Sequence, residues 1–454
     1  MKRKKKILVL SDHALSTSGV GTQTRHLING LLQKGEWSFR QFGAAIKHEN
    51  YDVVQVTEDF IIKPIDGFGN PDMLRLALIT EKPDILFIFT DPRFFTWLFE
   101  MEDEIHQVCP IVWWHVWDNY PYPKFNEAFY QSTDLINCHS HLTYEMVSEN
   151  FPEKTNFVPH TLPGNVYFPM KKNDILTQKR NLLGENRKDN FTVLWINRNA
   201  RRKRPNDLLL SWKYFIDKLK EETGEANATL ILHTDPVDQE GPNLITTAEY
   251  LGITDNIVFS TERISFEQIN VLHNISDCCI NISYAEGFGL ATLEAMQTGT
   301  PIIALKTGGL TRQVVDHRDG SENGVALPVE LRSLVGSQTV PYIFEDYVDV
   351  NEVGEALWTI YSKTPAERKE LSKKVMEYVQ KCLEHSSTEQ IPQLILVQST
   401  EQARGHEGDG SRLEAIDRGA GQGDFLVGRV PKGHGLRALL EDDPNENSPV
   451  LGLE

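Results

Sequence analysis

Cysteine is scarce in this chain: five in 454 residues, at positions 109, 138, 278, 279 and 382, with no C-x-x-C spacing. Three of them stand in apolar, strand-like runs, which points to reduced core thiols in a reducing compartment rather than to disulfides or a zinc site. No apolar run approaches the roughly 20 residues of a membrane span. The basic segment Met1–Lys6 is followed only by Ile7–Leu10 before polar residues, too short for the apolar core of a signal peptide. A soluble, cytoplasmic protein is expected. Positive charge is also in deficit, 46 Lys and Arg against 64 Asp and Glu, a net charge of -18. That balance argues against broad adhesion to nucleic acid. There is no Asp-x-Asp triplet of the kind that holds a divalent ion on a diphosphate.

Apolar material is not lacking. Hydrophobic residues make up 40% and aromatics 9% of the chain, enough for ordinary cores in two or three domains. Short apolar runs at 7–10, 53–56, 85–89, 111–114 and 135–138 alternate with helical patterns at 22–33, 71–81, 93–107, 124–131 and 141–150. This alternation predicts a mostly parallel sheet covered by helices, an N-terminal Rossmann-like domain over residues 1–160. A Pro- and Gly-punctuated stretch and a polar segment follow, read as a connector over 161–190. The alternation then resumes, with strands predicted near 192–196, 229–232, 257–259, 279–283 and 301–304, and two closing helices, giving a second domain over 191–383. Ligands are expected in the cleft between the two, at the carboxyl ends of both sheets. From residue 384 glycines crowd in and no period persists, so 384–454 reads as a disordered tail, with one short apolar stretch at 391–397 left unplaced.

The stretch Ala285-Glu-Gly-Phe-Gly-Leu-Ala-Thr-Leu-Glu294 lies where a strand pattern gives way to a helical one. The first N–H groups of a helix lack intrahelical partners and sit at the positive end of its dipole, which suits a phosphate. Gly287 and Gly289 allow the backbone to approach a ligand closely. Glu294, a turn into the helix, can accept hydrogen bonds from ribose hydroxyls, while Glu286 sits at the strand's end near the reacting group. An exposed glutamate after an unremarkable glycine turn would look much the same, so the pattern alone leaves both readings open.

Residues 259–315 closely resemble the donor-binding half of retaining GT-B glycosyltransferases, family 4, whose E-x7-E signature is matched by Glu286 and Glu294. The likeness extends more thinly over about residues 5–383. It implies two Rossmann-like α/β domains facing each other across a cleft, and transfer of a sugar from a nucleotide-diphosphate sugar to an acceptor hydroxyl with retention of configuration. No metal and no cofactor beyond the substrate is implied. In the loop Asn197-Arg-Asn-Ala-Arg-Arg-Lys-Arg-Pro205, Arg198 and Lys203 match the cations that grip the donor diphosphate, with Arg201, Arg202 and Arg204 as alternatives. Gly19 and Gly21, in Ser-Gly-Val-Gly after the first strand, resemble the family's glycine loop facing the donor. The backbone of Gly287, Phe288, Gly289, Leu290 and Ala291 would cradle sugar and phosphate. His115, at a strand end beside Trp113, Trp114 and Trp117, resembles the family's active-site histidine, with Asp118 and Asn119 as acceptor-side candidates. Gly308 and Gly309 resemble its glycine pair near the donor. Just beyond, Thr311 and Arg312 stand where Pro and Glu are common.

Three rivals share parts of this pattern: a sugar-nucleotide epimerase, a non-catalytic carbohydrate-binding protein, and a nucleic-acid-modifying transferase, the last disfavoured by the acidic balance. The Lys2–Lys6 cluster with the aromatic run Phe94–Phe99 offers a further reading, peripheral contact with the inner face of an anionic membrane. The base, the sugar and the acceptor, whether glycan, lipid-linked or small molecule, are not written in these motifs.

Overall fold

The computed structural model describes residues 3–45, 51–160, 162 and 166–383. Two sheets organise them. The first contains β1 (Lys5–Asp12), β2 (Trp37–Ala44), β3 (Val54–Thr57), β4 (Phe60–Pro64), β5 (Ile85–Thr90), β6 (Ile111–His115), β7 (Leu135–Cys138) and β8 (Thr155–Phe157), in the order β3-β4-β2-β1-β5-β6-β7-β8. All its pairings are parallel except β3 with β4. The second contains β9 (Phe191–Ile196), β10 (Ala228–His233), β11 (Ile257–Ser260), β12 (Cys278–Asn281), β13 (Ile302–Leu305) and β14 (Gly324–Leu327), in the order β11-β10-β9-β12-β13-β14, parallel throughout.

The central strands of both sheets are buried on both faces, which is why they read as continuous apolar runs: β5 is Ile-Leu-Phe-Ile-Phe-Thr, buried at every position. Two large cores flank the first sheet, one centred on Leu10, Ile88 and Trp113 and the other on Val9, Phe87 and Trp114. The second sheet packs Trp195 and Trp212 on one face and Cys279, Met296 and Ala304 on the other. All four cysteines whose side chains are described are buried and unbridged.

Chain order reverses between β1 and β5 in the first sheet and between β9 and β12 in the second. Loops that leave neighbouring strands at such a reversal diverge to opposite faces and open a crevice at the carboxyl ends. The loops after β1, β9 and β12 are Ser16–Gly21, Arg198–Lys203 and Ser283–Gly289.

Several expectations change. The chain pattern missed β2 and β4, whose polar interruptions (Ser38, Arg40, Lys63) hide them, and it missed the antiparallel pair β15 (Leu331–Val335) and β16 (Ile343–Tyr347). The predicted helix over 93–107 is three short pieces, Pro92–Phe95, Thr96–Phe99 and Glu102–His106, broken where Phe95 and Met101 leave helical dihedrals. The connector carries a 12-residue helix, Lys172–Leu183, mostly exposed and therefore polar. Residues 384–454, with the apolar stretch at 391–397, lie outside the described residues.

The residues of the membrane reading are partly engaged within the fold, though Phe94 stays exposed. Arg3, Lys4 and Lys6 are ion-paired with Asp84, Asp59 and Glu81, and Phe95, Leu98 and Phe99 are buried in the core. Among the described residues no helix is long and apolar enough to cross a membrane.

Candidate active site

The turn after β12 is held from beneath by backbone contacts that leave no room for side chains. Gly289, at φ +88°, caps the helix Leu290–Gln297, and a β-carbon there would lie 2.5 Å from Leu310 Cδ2. Gly308, at φ +48°, would place one 2.1 Å from the Glu286 carbonyl oxygen and 2.3 Å from that of Asp118. Both positions therefore require glycine. The Gly309 N–H donates to the Glu286 carbonyl at 2.8 Å. Gln313 Nε2 donates to the Phe288 and Gly289 carbonyls at 2.6 and 3.1 Å, clamping the turn from its far side. Gln313 was not among the sequence candidates: a lone glutamine carries no motif.

Glu286 is buried and ion-paired with Lys203, itself buried in the 3-10 turn Arg201–Lys203 that follows β9. Asn281 Nδ2 and Ser283 Oγ lie 3.5 Å from the same carboxylate oxygen, and Arg202 Nη1 is 4.0 Å away. Burial alone would raise the Glu286 pKa. The Lys203 and Arg202 charges outweigh it and hold the carboxyl at about 2. Glu286 is thus anionic at neutral pH, while burial and then the Arg202 charge lower the Lys203 pKa against the pull of Glu286.

The arginines of this loop divide. Arg202 Nη1 donates to the Ala285 carbonyl at 3.2 Å and lies 3.8 Å from Asp118 Oδ2, so it faces the turn. Arg198, the sequence candidate, points elsewhere: its guanidinium bonds Asp238 at 2.8 and 3.2 Å and Glu240 at 3.1 Å, and its side chain is 59% exposed. Arg201 pairs with Glu345 on β16, and Arg204 with Asp207 at 2.7 Å. Five adjacent basic residues look alike in sequence, and only the turn's geometry separates them.

Glu294 is buried with Oε2 at 3.3 Å from Nε2 of the fully buried His273. Its helix begins at Leu290, whose Cδ1 would lie 3.2 Å from a β-carbon on Gly19. The glycine loop after β1 therefore meets the glutamate turn across the crevice. Ser18 caps the helix Gly19–Leu32, accepting from the Gly21 N–H at 2.9 Å and donating to Asp12 Oδ2 at 2.6 Å. A β-carbon on Gly21 would lie 2.3 Å from Ser16 Oγ.

Two histidines reach the turn, His139, directly after β7, and His160, whose ring lies 4.8 Å from that of Phe288; His115 is not one of them. His115 is fully buried, its Nε2 bonded to Tyr130 OH at 2.8 Å and its ring 4.2 Å from that of Trp113. His139 bonds the His115 carbonyl through Nδ1 at 2.8 Å and aims Nε2 at the turn, 2.7 Å from where a Gly287 β-carbon would be. That Nε2 is buried and has no partner among the described residues. Burial pushes the His139 pKa down to about 4 against the pull of the Asp118 carboxylate. His139 stands at a strand's end much as His115 does, so the same strand-end reasoning, applied to Asn-Cys-His139, reaches it.

Asp118 Oδ1 also lies 2.7 Å from the Gly287 β-carbon position, so it borders the turn. Asn119 is buried and turned to the second half, with Nδ2 within 3.1 Å of Thr307 Oγ1 and the Phe344 carbonyl and 2.8 Å from Asp346 Oδ2. It staples the halves together. Trp113, Trp114 and Trp117 are core residues.

Comparison with known proteins fits this geometry. Residues 178–330 match the family model of glycosyl transferases group 1. Over 78 residues the chain is 37% identical to a D-inositol 3-phosphate glycosyltransferase of Mycolicibacterium smegmatis, a stretch covering 17% of this chain and 18% of that relative. Sucrose-phosphate synthase from Thermosynechococcus elongatus superposes with a TM-score of 0.66 at 18% identity, covering 89% of this chain and 100% of that one. Anabaena HepE, solved in complex with UDP-glucose, superposes with a TM-score of 0.62 at 16% identity over 87% and 99% of the two chains. Residues 178–330 thus resemble glycosyl transferases group 1, and the described residues share the α/β fold of GT-B glycosyltransferases.

Proposed function

We propose that the protein transfers a hexose from a nucleotide-diphosphate sugar to an acceptor hydroxyl with retention of configuration and without a metal ion. The observation that carries this reading is the buried Lys203–Glu286 contact at the β9/β12 reversal, beside a glycine-edged turn and a helix N-terminus. The match to glycosyl transferases group 1 and the fold shared with a UDP-glucose-bound protein support it.

In this reading Glu294 accepts from the ribose hydroxyls. Lys203 and Arg202 neutralise charge on the departing diphosphate, in a buried setting where such interactions are strong. The Gly287–Ala291 backbone receives sugar and phosphate. Glu286, kept anionic, and His139, kept neutral with Nε2 free to bond a hydroxyl, orient the sugar. The bond from the anomeric carbon to the diphosphate oxygen breaks, a bond to the acceptor oxygen forms on the same face, and the acceptor proton passes to the leaving diphosphate.

The test is calorimetry with uridine, guanosine and adenosine diphosphates and their sugars, without metal, on the wild type and on Glu294→Ala. One nucleotide should bind saturably, and the variant should weaken it by roughly tenfold or more, the worth of a hydrogen bond to a charged group. A folded wild type that binds none of them sinks the reading. Proton NMR of the product's anomeric configuration tests retention.

A further inference from the structure

Beside the glycine turn lies a second space that none of these roles uses. It is a cavity of about 760 Å³, bounded by Phe288, Gly308 and Gly309 of the turn, by the start of the helix His141–Ser148, and by the end of the helix Pro365–Leu383. Its size is that of a small-molecule site. Leu142, Leu293, Met296 and Val379 give it apolar walls.

The polar groups on its lining are unbalanced. Glu145 contributes a carboxylate, already bonded to His141 Nδ1 at 3.0 Å. Against it stand Arg312, Arg318 and Lys381. Arg318 is held by Asp316 at 2.6 and 2.9 Å. The Arg312 guanidinium and the Lys381 ammonium meet no carboxylate among the described residues, and His160 Nδ1, buried on the same wall, has no hydrogen-bond partner. Burial lowers the pKa of His141 and of His317, and the Arg312 charge lowers both further. Arg312 is also the residue that departs from the resembled family's pattern, where Glu is common.

We propose that this cavity binds the acceptor, and that the acceptor carries one oxyanionic group, phosphate or carboxylate, on an apolar body, with Arg312 and Lys381 gripping the anion. Arg312 suits this task because its planar fork matches either oxyanion. The naming of the ligand as acceptor rests on the glycosyl-transfer reading; the anion site does not.

Octyl phosphate is the probe, one phosphate on one apolar tail, titrated calorimetrically into the full chain with and without the nucleotide diphosphate. Octanol and inorganic phosphate serve as the separated halves. The wild type should bind octyl phosphate saturably and more tightly than either half. Arg312→Gln and Lys381→Glu should each weaken it by about tenfold, and Arg312→Glu should abolish it, with nucleotide affinity unchanged in all three. Thermal unfolding checks that each variant is folded; Lys381, exposed at the rim, keeps the test available if an Arg312 variant fails. Equal binding of octyl phosphate by wild type and variants, or none by the wild type, overturns the proposal. Lost nucleotide binding with intact octyl phosphate binding overturns only the donor reading. Co-sedimentation with phosphatidylglycerol vesicles identifies the source: Arg312-dependent pelleting supports a lipid headgroup, and octyl phosphate binding without pelleting supports a small phosphorylated acceptor.

Discussion

Glu286 and His139 are both buried, both titratable and both set against Gly287, one from each half of the molecule, yet they are buried in opposite charge states. On the second half's wall the cost of burial is offset by a partner: Lys203 and Arg202 keep Glu286 ionised. On the first half's wall there is no such partner close enough to prevail. His115, His139 and His160 are buried together, with His139 and His160 rings 5.0 Å apart, and burial holds all three below their ordinary pKa. The Lys203–Glu286 contact thus faces a cluster of histidines that burial keeps neutral. The pairing suits a diphosphate on one side and sugar hydroxyls on the other, because charge is placed where charge develops and neutral donors and acceptors where it does not.

The comparison breaks most severely at Lys203. Lys203→Met leaves Glu286 buried without its counter-ion and should cost roughly 3–5 kcal/mol in denaturant unfolding at pH 7. Glu286→Gln in the same chain should recover much of it. If Lys203→Met unfolds like the wild type, the pair is not structural.

Acidification separates the walls next. His139 has a folded pKa near 4 against an ordinary 6.5, so its contribution is fully present above pH 6.5 and is lost as pH falls toward 4. Glu286, at about 2 against 4.5, contributes fully above pH 4.5 and loses that only as pH falls toward 2. The neutral wall should therefore fail first. Each shift corresponds to a contribution on the order of 3 kcal/mol. Unfolding measured from pH 7 to 4 should lose part of its slope in His139→Gln, the buried His115 and His160 supplying the rest, and keep its slope in Glu286→Gln.

The smallest expected effect sharpens the division among the arginines. Arg202→Ala should weaken nucleotide-diphosphate binding by roughly tenfold, while Arg198→Ala, an exposed residue paired with Asp238 and Glu240, should change stability by no more than about 0.5 kcal/mol and weaken binding less. Calorimetry on both variants decides; the reverse order would return the diphosphate role to Arg198.

Much of this was legible in the chain. Strands buried on both faces announce themselves as apolar runs, and helices through their period, so the two-sheet architecture followed from pattern. The elements that escaped are those whose burial is partial, such as β2, β4 and the pair β15–β16, where polar residues interrupt the run. Within the candidate site, the glutamate pair and the glycines were legible because backbone geometry admits few substitutes at such turns. His139 and Gln313 were not singled out, and Arg202 was one of several alternatives, since their roles depend on contacts between residues far apart in the chain.

The sequence by itself determined the residue types at the turn, glycine where a β-carbon would strike a carbonyl and glutamate at its two ends, because these requirements are local. Only the tertiary structure decided which of five neighbouring cations meets Glu286, which histidine faces Gly287, and that Arg312 opens onto a cavity with no counter-ion among the described residues. Those outcomes depend on how loops from two sheets are brought together, and on burial, which fixes a charge state only once every partner within a few ångströms is in place.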